Sequence, residues 1–294
     1  MKTKNKLLLL PMLAITMALF FYACQKELSF DGANIPAGKT KLSVFLTDGP
    51  YDFQKVLVDI QRIEVKIDTC RRNDDDDDDD HDGPGNDDDH DSLNRHCEIW
   101  QTLDIHPGVY DLMQLRNGTD TLLASGFLLQ GKIERIKITL GNNDSVMVDS
   151  VMHQLHLIDN RNYVFINIGR EHLDSISSNN FQLFLDFNLS KSVRLINGQY
   201  WLKPVLKPFG KHSSGEIEGK VRPVHSFGII KAYNATDTAF AWPWDEGEFK
   251  IRGLKEGIYS LFIDGINSYQ DTTIDNIMVK RGKETKLGTI VLHQ

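Results

Sequence analysis

The pattern Asp78-x-Asp80-x-Asp82-Gly83, with Asp89 at the twelfth position, spells the opening of a calcium loop. Alternating carboxylates would supply hard oxygen ligands, and the glycine would allow the sharp turn. The pattern lies largely within a run of seven aspartates, which satisfies the alternation automatically. Asp89 stands where a bidentate Glu is usual, Gly85 replaces an apolar anchor, and no helix-forming sequence flanks the loop. From Cys70 to Cys97, twelve of twenty-eight residues are Asp, too much like charge and too little apolar surface to fold alone. The expectation is a disordered, hydrated acidic insert (71–96) that condenses Ca²⁺ weakly and diffusely. A preformed site on Asp78, Asp80, Asp82 and Asp89 is the sharper alternative, and no other cofactor is expected.

Other residues invite chemistry less strongly. His153, His156 and Asp159 are metal-ligand types, but strand positions three apart point to opposite faces, so polar residues flanking a turn are the better account. Asp48, in Leu46-Thr47-Asp48-Gly49-Pro50, is expected to cap backbone N–H groups of a turn. Trp242 and Trp244 form either a sugar-stacking platform or the cover of a sheet edge near a Pro-Trp turn. Asp followed by Ser or Thr and a small or aliphatic residue recurs at Ser92, Thr121, Ser145, Ser150, Ser175, Thr238 and Thr272, where composition alone gives about one instance. This triplet resembles an O-glycosylation acceptor of exported bacterial proteins, and it equally describes turn dipeptides next to strands. There is no Gly-x-Ser-x-Gly elbow, no His-Glu-x-x-His and no phosphate loop, so a non-enzyme is expected. A metal-assisted hydrolase with scattered ligands is the opposing reading.

These residues need a scaffold and an address. The formal charge of −8 is concentrated in the acidic segment; outside it, thirty basic residues face twenty-nine acidic ones. That balance carries no nucleic-acid footprint. Lys2, Lys4 and Lys6 precede an apolar run that ends at Ala23-Cys24, which describes a secretory signal (1–23). The cysteine after a small residue resembles a bacterial lipobox, implying that Cys24 is acylated, palmitate included, and binds membrane lipid. Gln25-Lys26-Glu27 resembles an export signal to the outer face of the outer membrane, and reads equally as part of a polar tether (24–40). With Cys24 lipidated in an oxidising compartment, Cys70 and Cys97 remain to pair with each other, or to stay as two thiols. A bridge would remove roughly 3–4 kcal/mol of unfolded-chain entropy.

Beyond the tether the dominant period is two. Leu42, Val44 and Leu46 alternate; Val56, Val58 and Ile60 give way to Ile63, Val65 and Ile67 with the opposite parity, as a β-bulge would require. Ile136, Ile138 and Leu140, then Phe181, Leu183, Leu185 and Phe187, repeat the pattern. The fold class is all-β, two sandwiches in tandem. The blocks LSVFLTDGP, YDLMQL, LLQGKIERIKITLGNNDSV, LDFNLSKSV and YWLKPVLK resemble the secreted bacterial family called domain of unknown function 4382, over about 41–209. The resemblance implies a β-sandwich on exported or lipid-anchored proteins, with no assigned activity. After a Gly/Ser linker (210–214), residues 215–294 carry Gly247-x-Phe249-x-Ile251-x-Gly253-Leu254-x-x-Gly257-x-Tyr259, which resembles the carboxypeptidase regulatory-like, transthyretin-like domain. Gly247 and Gly257 would turn the chain, Phe249, Ile251 and Tyr259 share a buried face, and Leu254 plugs the core. The expected function is a non-catalytic cell-envelope lipoprotein with a glycan or surface protein as partner; a calcium-responsive surface protein is the alternative.

Overall fold

The parity switch within residues 56–67 resolves into one long strand with an irregularity in its middle. The computed structural model describes residues 35–49, 51–70 and 97–294. The signal segment, Cys24, most of the tether, Asp78, Asp80, Asp82, Asp89 and Ser92 lie outside the described residues. The first fifteen strands are β1 (Lys39–Gly49), β2 (Lys55–Asp68), β3 (Glu98–Thr102), β4 (Asp104–Ile105) and β5 (Gly108–Asp111); then β6 (Thr121–Leu129), β7 (Lys132–Leu140), β8 (Ser145–Val148), β9 (Val151–Leu157) and β10 (Tyr163–Asn167); then β11 (Leu173–Ser177), β12 (Asn180–Asn188), β13 (Val193–Ile196), β14 (Gln199–Leu202) and β15 (Leu206–Phe209). They form a six-stranded sheet, ordered β11-β12-β1-β6-β4 with β15 on β12, and a nine-stranded sheet, ordered β10-β7-β2-β8-β9-β14-β13 with β3 and β5 on β2. Among the described residues no helix is long and apolar enough to cross a membrane.

Alternation decides which side chains fill the space between these sheets. Val56 and Val58 are buried from β2, the register against β7 shifts between Ile60 and Arg62, and Ile63, Val65 and Ile67 are then buried in turn. Leu42, Val44 and Leu46 of β1 oppose them within the same core, as do Leu183, Leu185 and Phe187 of β12. Truncating one such side chain, for example Ile63→Ala, is expected to cost about 2–5 kcal/mol. On the other face of β12, between Gln182 and Asp186, Phe184 is 1% exposed, stacks on Phe45 at 4.9 Å and meets Phe209 at 5.5 Å. Two-residue turns close the hairpins. Asn197 and Gly198, both at positive φ, join β13 to β14, and Asp149 with Ser150 join β8 to β9.

Seven strands make the second sandwich: β16 (Gly215–Arg222), β17 (Phe227–Tyr233), β18 (Thr238–Ala241), β19 (Glu248–Leu254), β20 (Gly257–Gly265), β21 (Thr272–Val279) and β22 (Glu284–Val291). One sheet runs β19-β16-β22, the other β18-β17-β20-β21. Phe249, Ile251, Leu254 and Tyr259 are all nearly sealed in this core. Phe249 and Ile251 come from one sheet and Tyr259 from the other, so they face each other across the core instead of sharing one face. The residues between the sandwiches are pinned. Asp174 accepts the N–H groups of Lys211 and His212, and Ser214 Oγ donates to the Gly210 carbonyl at 2.6 Å. Pro36–Gln294 accordingly fold as one unit around two cores.

Candidate functional site

The two sandwiches meet around the loop that follows β5. Asp111 accepts the Met113 N–H at 3.3 Å and starts a single turn, Leu112–Leu115, whose leucines and Met113 enter the first core. The turn delivers residues 116–120 to the outer face of β19. Gly118 lies at φ +81, backbone that favours glycine, and a Cβ on it would stand 2.9 Å from Lys250 Cδ and oblige that side chain to shift. Arg116 places its guanidinium 4.5 Å over the Trp244 ring, and Asn117 Nδ2 donates to the Trp242 carbonyl. Arg252, reaching back from β19, donates to Asp120 Oδ2 at 3.0 Å and to Thr47 Oγ1 at 3.2 Å. Thr47 Oγ1 is itself 2.9 Å from the Thr119 carbonyl. A second polar contact crosses the joint: Lys207 Nζ donates to Asp237 Oδ1 at 2.7 Å, and Tyr259 Oη donates to Asp237 Oδ2 at 2.8 Å. Burial alone would raise Asp237, but Lys207, Tyr259 and the Lys255 N–H together hold it below the usual carboxylate range.

Beside this joint opens a groove of about 520 Å³, walled by Asn117 and Trp244 and floored by the charged outer face of β16, β19 and β22. Lys250 reaches Glu216 at 3.3 Å, Glu218 at 3.2 Å, and Glu284; Lys286 reaches Glu218 at 2.8 Å and Glu284 at 3.1 Å. The hydrogen bond from Lys250, with Lys286 beside it, brings Glu284 down to about 2. Exposed pairs of this kind contribute little singly. As a ladder two lysines are shared among three carboxylates, and the groove presents paired charges, an amide and an indole, a surface suited to polar ligands.

Asp48 overturns the expectation of a turn cap. β1 continues through Gly49, with Asp48 opposite Phe187 and Gly49 opposite Asn188 of β12, so Asp48 lies inside a strand. It is 5% exposed, and both carboxylate oxygens are buried without a hydrogen-bond partner. Burial, then Asp186 and Asp111, push it well above the usual carboxylate range against the pull of Arg116. Burial also raises Asp186 to about 6, with Lys207 and Arg252 opposing. Asp48 is not a solvent-facing acid; its motif hides that burial because a Thr-Asp-Gly-Pro string reads as a turn.

The remaining candidates fall in separate places. Trp242 and Trp244 are half-buried at the joint, and Trp244 stands in the groove wall. His153 and His156 are strand residues of β9 and do not flank a turn as expected: His153 packs on Tyr200 at 5.0 Å and His156 on Trp201 at 5.3 Å. Asp159 lies beyond them in a tight turn at φ 60. The reason is pairing on both sides: β8 pairs with β9 through His153, and β14 runs parallel to it through His156. Cys70 and Cys97 are bonded, with Cα atoms 5.3 Å apart, and tie the end of β2 to the start of β3. Asp68 joins them in the group of metal-type ligands gathered among the described residues, but the bond occupies both sulfurs, and Asp68 accepts the Cys70 N–H at 3.0 Å. Thr121, Ser145, Thr238 and Thr272 each begin a strand, Ser175 lies in β11 and Ser150 in a turn. The preceding aspartates hold structure: Asp144 takes the Asp59 N–H, Asp271 the Gly265 N–H, and Asp120 the Arg252 guanidinium. Sequence reasoning missed Arg252, Asp120 and Asp237, whose partners lie in distant segments.

Three solved structures illustrate what the chain is similar to. A type II cohesin–X-dockerin complex from Acetivibrio cellulolyticus, a C-terminal interface mutant, aligns at 21% identity over 26% of this chain, with a TM-score of 0.23. The chain spans 56% of the length of that cohesin–dockerin chain. GBS52, the minor pilin of Streptococcus agalactiae, aligns at 11% identity over 86% of this chain and 95% of its own, with a TM-score of 0.21. The shaft pilin spaA of Lactobacillus rhamnosus GG, as a D295N mutant, aligns at 10% identity over 87% and 98%, with a TM-score of 0.22. Superpositions this loose carry no argument about fold or function. No curated protein matches the chain. A family profile does match, over residues 39–204, from the first residue of β1 to just past β14, and the chain belongs to the family described as Domain of unknown function (DUF4382).

Proposed function

We propose that the protein is a non-catalytic lipoprotein of the cell envelope, held in the outer membrane through an acylated Cys24, whose two sandwiches act together as a binding or structural module at the cell surface. The observation that carries this reading is the Arg252 clasp. A guanidinium that is almost buried, bound to Asp120 and Thr47 of the other sandwich, gives the two cores a fixed mutual geometry. A fixed pair of sheets extends a surface away from its anchor and offers sheet faces and a groove to a glycan or a surface protein. The ion-paired carboxylates of the joint, Asp120 with Arg252 and Asp237 with Lys207, suit a role in holding the sandwiches together. The test is Cys24→Ser in the full chain. The variant is expected to stay unprocessed at the lipidation step and to leave the membrane fraction, while the folded region keeps its melting profile; a variant still processed and membrane-bound refutes the anchor.

A further inference from the structure

On the outer face of the nine-stranded sheet, Trp100 and Phe165 meet with ring centroids 5.9 Å apart, although their strands, β3 and β10, are separated by β2 and β7. Both rings remain nearly half exposed, at 44% and 45%, and Tyr163 continues the row 5.2 Å from Phe165. Their strand neighbours Ile99 and Ile166 turn the other way, into the core. Exposed aromatic surface of this kind is a cost in water unless something covers it.

Cations border the rings. Arg135 lies 5.5 Å from the Phe165 centroid, and Lys137 and Arg161 lie 5.5 Å and 5.6 Å from that of Tyr163. Immediately alongside is a recess of about 300 Å³ lined by Lys66, Lys132, Arg135, Glu134, Asn167 and Ile168. Its one carboxylate, Glu134, is divided between Lys66 at 3.8 Å and Lys132 at 3.6 Å. Glu98 takes Lys66 at 2.6 Å. Among the described residues no carboxylate pairs with Arg135, whose Nε donates to Asn167 Oδ1 at 2.9 Å. The recess is therefore positive, and its guanidinium retains donors for an anion.

We propose that this face binds an acidic polysaccharide, with sugar rings laid across Trp100 and Phe165 and carboxylate or sulfate groups turned into the Lys66–Lys132–Arg135 recess. The inference rests on the reading of the protein as a binding module and names its ligand class. Aromatic faces cover the C–H-rich sides of sugar rings, and a fork of guanidinium and ammonium donors pairs with carboxylate or sulfate. Charge complementarity selects an acidic chain over a neutral one.

Affinity electrophoresis of the full chain in non-ionic detergent, through gels containing polygalacturonate, chondroitin sulfate or neutral pullulan, tests it. Retardation is expected in the two acidic gels and not in pullulan. Trp100→Ala or Phe165→Ala should weaken it about tenfold, and Arg135→Gln or Lys132→Gln should weaken it and reduce its salt dependence. All four side chains are exposed, so an unchanged melting temperature verifies folding. Retardation that appears only when Asn73–Asp91 is replaced by a Gly/Ser linker supports the site and makes the Asp-rich stretch its competitor. The proposal fails if neither version is retarded, or if the Trp100→Ala/Phe165→Ala double variant is retarded as strongly as the parent. It also fails if a single-stranded oligonucleotide binds more tightly, or if the face instead drives self-association that Trp100→Ala abolishes. Membrane partitioning of the same samples tests the anchor independently, so either reading can fall alone.

Discussion

Arg252 and Asp120 form an ion pair at 3.0 Å, although one belongs to the second sandwich and the other to the loop before β6 of the first. The Arg252 side chain is 7% exposed, so removing it leaves Asp120 and Thr47 facing a cavity. Arg252→Ala is expected to destabilise the protein by about 2–4 kcal/mol, moderated by the neighbouring Lys211 at 3.3 Å from Asp120. Calorimetry should show one unfolding transition in the parent and two in the variant. A single unshifted transition would remove the clasp from the account.

Asp48 is destabilising at neutral pH, because ionising a buried carboxylate without partners opposes folding. Its folded pKa is raised, so the folded state binds the proton more tightly than the unfolded one. The stability linked to it is present in full below the ordinary carboxylate range and is lost as pH rises. Asp186 behaves the same way, with its loss spread between roughly pH 4 and the value of about 6. Asp48→Asn should therefore raise stability at pH 7 and flatten its decline as pH rises above the ordinary carboxylate range. Denaturant midpoints across that rise decide it; a variant less stable than the parent at pH 7 means that the charged form has a partner.

Reduction of Cys70–Cys97 releases a sequence separation of 27 residues in the unfolded chain. The expected loss is about 3.5 kcal/mol from the first sandwich on the loop-entropy account. Melting with and without reductant, alongside Cys70→Ser/Cys97→Ser, measures it. Alkylation of both thiols without reductant in the purified protein contradicts the bond.

Calcium is expected to bind the Asp-rich stretch in the millimolar range, with strong dependence on ionic strength. Calorimetric titration of the parent and of the version with Asn73–Asp91 replaced by Gly/Ser separates the two readings. Stoichiometric micromolar binding that disappears with the replacement establishes a preformed site on Asp78, Asp80, Asp82 and Asp89.

The sandwich cores were legible because alternation is a local signal. The parity change around Gln61 and Arg62 appears as a register shift, and Phe249, Ile251 and Leu254 are as buried as their spacing required. The contacts on which the proposals rest were not local. Trp100 and Phe165 are 65 positions apart, on strands that never pair, and nothing in either segment announces the other. Asp48 was misread for a related reason: a turn motif and the last residues of a central strand share the same letters, and only the pairing with β12 tells them apart.

The parallel pairing of β1 with β12 has a mechanical consequence. Because the two strands run the same way, the exit of β12 at Asn188 lies at the opposite end from the entry of β1 at Lys39. A pull on the N-terminal end, resisted by the rest of the chain, runs along the strand axis. The nine register pairs from Lys41–Asn180 to Gly49–Asn188 are then sheared together instead of peeled apart one after another. A sheet loaded in that direction yields only when the whole row gives way, so tension entering at β1 is borne by nine residue pairs at once.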